Sequence, residues 1–450
     1  MKFTTQNPDK SLHLVSLGCT KNLVDSEVML GKLKDYTLTN DSSNADVIIV
    51  NTCGFIDSAK EESINTILNL HDERKEESVL VMAGCLSERY KEELQKELPE
   101  IDVFTGVGDY DRIDELVNAK RSNFTNDVFL ASETNDRVIT GSNYHAYVKL
   151  SEGCNQACSF CAIPSFKGKL HSRTLESLIK EVKSLVSQGF VDFSFVSQDS
   201  SSFLRDLGHK DGLEQLVEAV EKVEGIKTAR ILYLYPSTTT LSLIDKIADS
   251  KVFVNYFDMP LQHITPSMLK IMKRGKGVEK LIELMDQMKS KPNSFVRTTF
   301  IAGHPGETQE DFEALAKYVE EYKFDRANVF SYSDEEGTTA SKSDAKVAQE
   351  IIDERADILG EIIDKTTQES LEKEVGKTFE VYVDGESDEH EYLLSARKTI
   401  WAPDIDGEIY INDNELFDEK GEQKKLEFGK IYKVKITELV GDKLLATVIA

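Results

Sequence analysis

The stretch Leu150–Arg173 reads LSEGCNQACSFCAIPSFKGKLHSR and carries three of the chain's six cysteines, at 154, 158 and 161. Their spacing is C-x3-C-x2-C, and no fourth cysteine stands nearby to complete a set of four. The motif directly follows an apolar, strand-like run, HAYVKL. Such a spacing implies a group held by three protein ligands at the end of a strand, with one position left open.

The remaining cysteines are dispersed but regularly placed. The first 110 residues alternate short apolar runs (LHLVSLG, ADVIIVNTCG, SVLVMAGC, VFTGV) with polar helical stretches such as NLVDSEVMLGKLK and SERYKEELQKEL. This alternation predicts an α/β domain with a parallel sheet, its strands buried on both faces. Cys19, Cys53 and Cys85 each stand at the carboxyl end of one such run. In an open parallel sheet those ends form the ligand crevice, so three thiols from three strands are expected to converge. The alternative is three unrelated buried thiols, since cysteine also serves as a small core hydrophobe.

Outward from the motif the pattern divides the chain into an α/β domain over 1–125, a linker over 126–142, a central unit over 143–374 and a small β module over 375–450. A chain of 450 residues leads one to expect about three domains at roughly 150 residues each. The central strand candidates (HAYVKL, VDFSFVSQ, ARILYLYP, VFVNYFDMP, SFVRTTFIAG, RANVFSYS) alternate with helical stretches such as LESLIKEVKSLVSQG. About six such units predict a partial or closed TIM-like α/β barrel working at the carboxyl ends of its strands. The run from Ala345 to Glu374 reads as a solvated bridging helix. Beyond Thr378, short alternating strands broken by Gly and Asp predict a small barrel of OB or related type.

Charge and composition restrict the partners. The net charge is −26, a poor basis for general nucleic-acid binding, which depends on Lys and Arg neutralising phosphates. From Thr378 to Ala450 there are 17 Asp and Glu against 9 Lys and Arg, so a basic partner fits better than a polyanion. No apolar run reaches the roughly 18–20 residues of a membrane span. The opening MKFTTQNPDK has no apolar h-region, so no secretory leader and a cytoplasmic location are expected. Disulfides are not expected in a large cytosolic chain; three plus three cysteines point to two metal sites.

Structural zinc takes four ligands, its cysteines mostly in C-x2-C pairs. C-x3-C-x2-C with no fourth partner fits a cubane iron–sulfur cluster ligated at three irons, with zinc the alternative. Phe160, immediately before the last cysteine, completes a C-x3-C-x-F-C form that resembles the radical S-adenosylmethionine (SAM) superfamily. The resemblance implies that Cys154, Cys158 and Cys161 bind a 4Fe-4S cluster. Its open iron would chelate the amino and carboxylate groups of SAM. One-electron reduction would then cleave SAM to methionine and a 5′-deoxyadenosyl radical that abstracts hydrogen from an unactivated carbon.

The three-domain order is similar to that of the methylthiotransferases. This implies a second 4Fe-4S cluster on Cys19, Cys53 and Cys85 and identifies the C-terminal module as TRAM. VSLGCTKNLVDSE, NTCGFIDSAKEES, AIPSFKGKLHSR, YFDMPLQHI, YSDEEGTTA and APDIDGEIYI resemble the branch that modifies a ribosomal protein. The tRNA-modifying members tend to read GCQMN around the first cysteine and lack DMPLQH. The branch implies methylthiolation of the β-carbon of an aspartate in small-subunit ribosomal protein twelve, free or assembled. Two SAM would be used per turnover, and an electron donor would be needed. tRNA is then not an expected partner. A tRNA adenosine methylthiotransferase is the alternative, and a non-catalytic iron–sulfur electron carrier a more distant one. The chain departs from the pattern at Thr20, where proline is expected, at Lys167, where arginine is usual, and at His304, where an aromatic is common.

Candidate SAM contacts are Phe160 against the adenine, Gln198 with Asp199 at a strand end, and Gly303 in AGHPGE, where glycine lets backbone approach a ligand. Their plain alternatives are loop packing, solvated turns and a tight strand–helix turn. Lys167, Lys169 and Arg173 read either as a carboxylate grip or as a surface basic run. His263 and His304 read as satisfied loop histidines. DEEGTTA (334–340) is a candidate for shaping substrate entry.

Overall fold

The computed structural model describes residues 10–275 and 277–450; the opening MKFTTQNPD, read above for a leader, lies outside the described residues. Five parallel strands form the first sheet: β1 (Ser11–Ser16), β2 (Thr37–Leu38), β3 (Val47–Thr52), β4 (Val79–Gly84) and β5 (Val103–Phe104), in the order β2-β1-β3-β4-β5. Every residue of β3 and β4 is buried, as strands covered on both faces by helices must be. The helix Thr20–Lys32 buries Val24, Val28 and Met29 against this sheet and is entered directly from Cys19.

The central unit begins with β6 (His145–Lys149). A small antiparallel pair follows, β7 (Ser151–Glu152) with β8 (His171–Ser172). This pair pinches off the loop that carries Cys154, Cys158 and Cys161, and Cys154 N–H donates to the Gly168 carbonyl at 3.1 Å. Then come β9 (Asp192–Val196), β10 (Thr228–Ile231), β11 (Phe253–Asp258), β12 (Phe295–Ala302) and β13 (Arg326–Ser331). With β6 they form a six-stranded parallel sheet, β13-β12-β11-β10-β9-β6, which is the partial form of the expected barrel. Phe193 and Phe195 point outward to helices such as Leu175–Ser187, whose buried Leu178, Val182 and Leu185 recur at helical spacing. Asp192, Ser194 and Val196 face the other way.

The helix Gln349–Glu372 corrects the reading of a solvated bridge. Ile352, Arg355, Leu359 and Ile363 are buried, and Leu359 and Ile363 belong to the barrel core. The apolar stripe was masked by the charges interleaved with it. The linker also does more than connect: Arg137 is buried between Glu27 of the first domain (2.9 Å from Nε) and Glu181 of the barrel (2.8 Å).

The C-terminal module is a closed barrel of β14 (Thr378–Glu386), β15 (Leu394–Lys398), β16 (Ile409–Asn414), β17 (Ile431–Val440) and β18 (Lys443–Val448), in the order β14-β15-β16-β18-β17. It caps the end of the central sheet where the strands begin. Asp192, fully buried, accepts from Arg230 at 2.8 Å and from Arg397 of the module at 2.6 Å. Tyr147 Oη donates to the Pro403 carbonyl at 3.0 Å, and Trp401 packs edge-on against Phe295. Burial works to raise the Asp192 carboxyl, but the two guanidiniums overcome it and hold the group well below the usual carboxylate range.

Replacing Asp192 with Asn removes the carboxylate paired with the buried Arg230 and the nearer of the two beside Arg397, which keeps Asp384 at 3.4 Å. Leaving a buried guanidinium unpaired costs about 3–5 kcal/mol. The single tryptophan, Trp401, is 4% exposed at this contact. Its emission in D192N is therefore expected to shift red at lower denaturant concentration than in the wild type. An unchanged midpoint would refute the role given to the cluster.

Candidate active site

All six cysteines are free and line one cavity of about 550 Å³ between the carboxyl ends of the two parallel sheets. The sequence predicted convergence within each set; the structure adds that the two sets face a common space. Backbone geometry allows the crowding. Gly18 has φ +82°, and a Cβ there would stand 2.7 Å from Cys53 Cβ, so only glycine lets the Cys19 and Cys53 loops touch. Asn22 secures the same corner, its Nδ2 donating to the Leu17 and Thr52 carbonyls at 3.1 Å each.

Burial pushes the Cys53 thiol up to about 11 and those of Cys85, Cys154 and Cys161 up to about 12. Such thiols stay protonated at neutral pH unless a metal takes the proton's place. Clustered soft sulfur donors suit iron–sulfur chemistry rather than a hard cation. Among the described residues no three His, Cys, Asp or Glu side chains close on a single ion; a cluster spreads its ligands over three irons and does not require that they do. The residues present fit the group.

Around the cysteines lies a buried ionic network that the sequence reading missed. Lys149 pairs with Asp25 of the first domain and with Glu152 at 2.7 Å; Lys167 reaches the same two carboxylates at 3.4 Å each. Burial works to raise the Glu152 carboxyl, but Lys149 and Lys167 hold it down at about 2. Neither Lys167 nor Arg173 belongs to a surface basic run: both are buried, Arg173 against Glu181, and only Lys169 is exposed. Glu335, in DEEGTTA, is likewise a cross-link, buried between Arg89 (2.5 Å) and Lys60 (3.0 Å) of the first domain.

The proposed SAM contacts divide. Phe160 and Gln198 line the cavity. Phe160 meets His304 edge-on, and Gln198 donates to Glu152. Asp199 is not a solvated turn residue. It is buried, and it accepts from Gln156, inside the cysteine loop, at 2.7 Å. Gly303 is not among the cavity-lining residues; a Cβ there would meet Ile352 at 2.4 Å, so helix packing accounts for the glycine. AGHPGE touches the site through His304, whose Nε2 shares a hydrogen bond with Ser159 at 2.9 Å. His263 has a buried Nε2 with no hydrogen-bond partner among the described residues and lies 3.9 Å from Glu307; burial holds both imidazoles down at about 4.

Comparison with known proteins agrees with this architecture. Residues 11–106 match "Uncharacterized protein family UPF0004", 148–319 the radical SAM superfamily and 375–449 the TRAM domain. The radical S-adenosylmethionine methyltransferase TsrM of Kitasatospora setae shares the fold, at 14% identity over 71% of this chain and 73% of that one, with a TM-score of 0.53. Fold and site thus define a radical SAM enzyme, a class that brings a 4Fe-4S cluster, SAM and an electron donor. "Ribosomal protein uS12 methylthiotransferase RimO" of Aliarcobacter butzleri (strain RM4018) is 85% identical, covering 100% of both chains. The protein of the same name from Sulfurovum sp. (strain NBC37-1) is 66% identical over 98% of each chain. The chain belongs to this methylthiotransferase family. Among the described residues no helix is long and apolar enough to cross a membrane.

The network carries a pH signature. A carboxyl depressed to about 2 contributes stability above its ordinary pKa of about 4.3, and loses it as pH falls through the folded value. Lys167→Met removes one of the two ammonium groups. Acid unfolding followed by circular dichroism is expected to begin at higher pH in K167M than in the wild type; an unshifted acid limb would show the network to be idle.

Proposed function

We propose that the chain methylthiolates the β-carbon of an aspartate in ribosomal protein uS12, drawing on two 4Fe-4S clusters and two SAM per turnover. The observation that carries this reading is the convergence of six thiols from two domains on one cavity. In this reading Cys154, Cys158 and Cys161 hold one cluster, on the domain spanning 143–374. Cys19, Cys53 and Cys85 hold the other, on the domain spanning 1–125. When bound, the clusters and SAM supply one-electron hydrogen abstraction and a methylated sulfur.

The chain's own residues set the geometry. Asp199 orients the cysteine loop through Gln156. Phe160 and Gln198 stand on the SAM side of the cavity. Lys149 and Lys167 lock the first domain onto the barrel, so that the two cysteine sets keep their spacing. The names of the relatives and the net charge of −26 support a basic ribosomal substrate in the cytoplasm and weigh against tRNA.

The test is anaerobic incubation of reconstituted enzyme, SAM and a strong reductant with uS12 or with unmodified tRNA, each then analysed by mass spectrometry. Replacement of hydrogen by SCH3 on an aspartate of uS12 is expected. The same gain on tRNA alone would overturn the substrate. Cys53→Ala is expected to keep SAM cleavage and lose thiolation, whereas Cys158→Ala loses both; loss of SAM cleavage in C53A alone would reverse the assignment of the two sets.

A further inference from the structure

Four cationic side chains line the cavity: Lys21, Lys167, Arg274 and Arg297. Three are already engaged. Lys167 has Asp25 and Glu152. Arg297 lies 3.3 Å from Asp258 and 3.5 Å from Asp406. Arg274 donates to the Pro260 carbonyl and stands 3.5 Å from Cys158 Sγ. Lys21 differs. It is 8% exposed. Among the described residues no carboxylate forms an ion pair with it or with Arg274, but Lys21 has no carbonyl of the kind Arg274 donates to, and Asp258, which acts on it through space, is paired with Arg297. Its Nζ rests 3.3 Å from the centroid of the Tyr233 ring.

A buried lysine is normally paired. A ring face attracts a cation but does not neutralise it, so Lys21 is a buried positive charge with room for an anion. Its position says which anion. Lys21 follows Cys19 by two residues on the first domain. Tyr233 projects from the barrel, two residues before Tyr235, whose Oη is 3.7 Å from Cys158 Sγ. The ammonium therefore stands beside Cys19, against a ring carried by the barrel, in the cavity that both cysteine sets line. Tyr233 is held there in an uncommon left-handed conformation, φ +63°, by its N–H donating to Asp258 at 3.0 Å, the kind of backbone strain that persists where surroundings enforce a site.

In the reaction proposed above, on which this inference rests, the substrate carbon must lie in this same cavity, between the two sets. The carboxylate of an aspartate is bonded directly to that carbon. We propose that Lys21 anchors the side-chain carboxylate of the substrate aspartate, placing its β-carbon between the two cysteine sets and selecting a carboxylate over an amide. Lys21 is thus a specificity-determining residue. The rival role is counter-charge to whatever Cys19 and its partners bind.

The test uses holoenzyme with SAM and no reductant, so that binding is measured without turnover. The probes are uS12 carrying its target aspartate and the same protein with asparagine there. Wild type is expected to prefer the aspartate form by about 10- to 150-fold in Kd, the worth of one hydrogen bond to a charged group. Lys21→Met is expected to bring that ratio to near one with iron and sulfide content unchanged, and Lys21→Arg to keep most of the preference. A K21M enzyme that still prefers aspartate, or one that loses its iron, overturns the anchor, as does a wild type with no preference. Whether wild type modifies uS12 at all is read separately from the thiolation assay, so failure of the underlying reaction is distinguishable from failure of the anchor.

Discussion

Four buried charges hold the two halves of this site together. Asp25 comes from the helix that follows Cys19, Lys149 ends the first barrel strand, Glu152 begins the cysteine-bearing hairpin, and Lys167 closes the helix after Cys161. Two acids and two lysines compensate one another in a region where an unpaired charge would be costly. Their register determines how far the loop of Cys154, Cys158 and Cys161 stands from the strand ends of Cys19, Cys53 and Cys85. Arg137 with Glu27 and Glu181, and Glu335 with Arg89 and Lys60, brace the same junction from either side. The site is therefore a property of the interface between two domains, and neither domain contains it alone.

The opposite end of the central sheet is closed by the acidic β module, through Asp192 and its two arginines and through Trp401. This leaves the strands' carboxyl ends as the working face, as in α/β barrels generally. Closure at one end and a cavity at the other confine the radical chemistry of this family to the face where all six cysteines meet.

Much of this was legible in the chain itself. The order of the three domains followed from the alternation of apolar runs, and the two cysteine sets from strand-end position and from C-x3-C-x2-C, both local signals. What escaped was long-range. Lys167 and Arg173 looked like a basic run because their partners, Asp25 and Glu181, are distant in sequence or lie on another element. Gly303 looked like a ligand turn because nothing local shows that Ile352, from the C-terminal helix, fills the space beside it. The helix Gln349–Glu372 looked solvated because its charges outnumber the few residues that it buries. Lys21 stood in the quoted motif VSLGCTKN, yet its lack of a carboxylate partner is visible only once the barrel brings Tyr233 beneath it.

The central claim is that two metal sites face one another across a single cavity between the domains. Anomalous diffraction at the iron edge, from crystals of anaerobically reconstituted protein, tests it most directly. The account predicts two iron peaks, one beside Cys154, Cys158 and Cys161 and the other beside Cys19, Cys53 and Cys85, with the cavity between them. A single peak, or two peaks separated by packed protein, would contradict it.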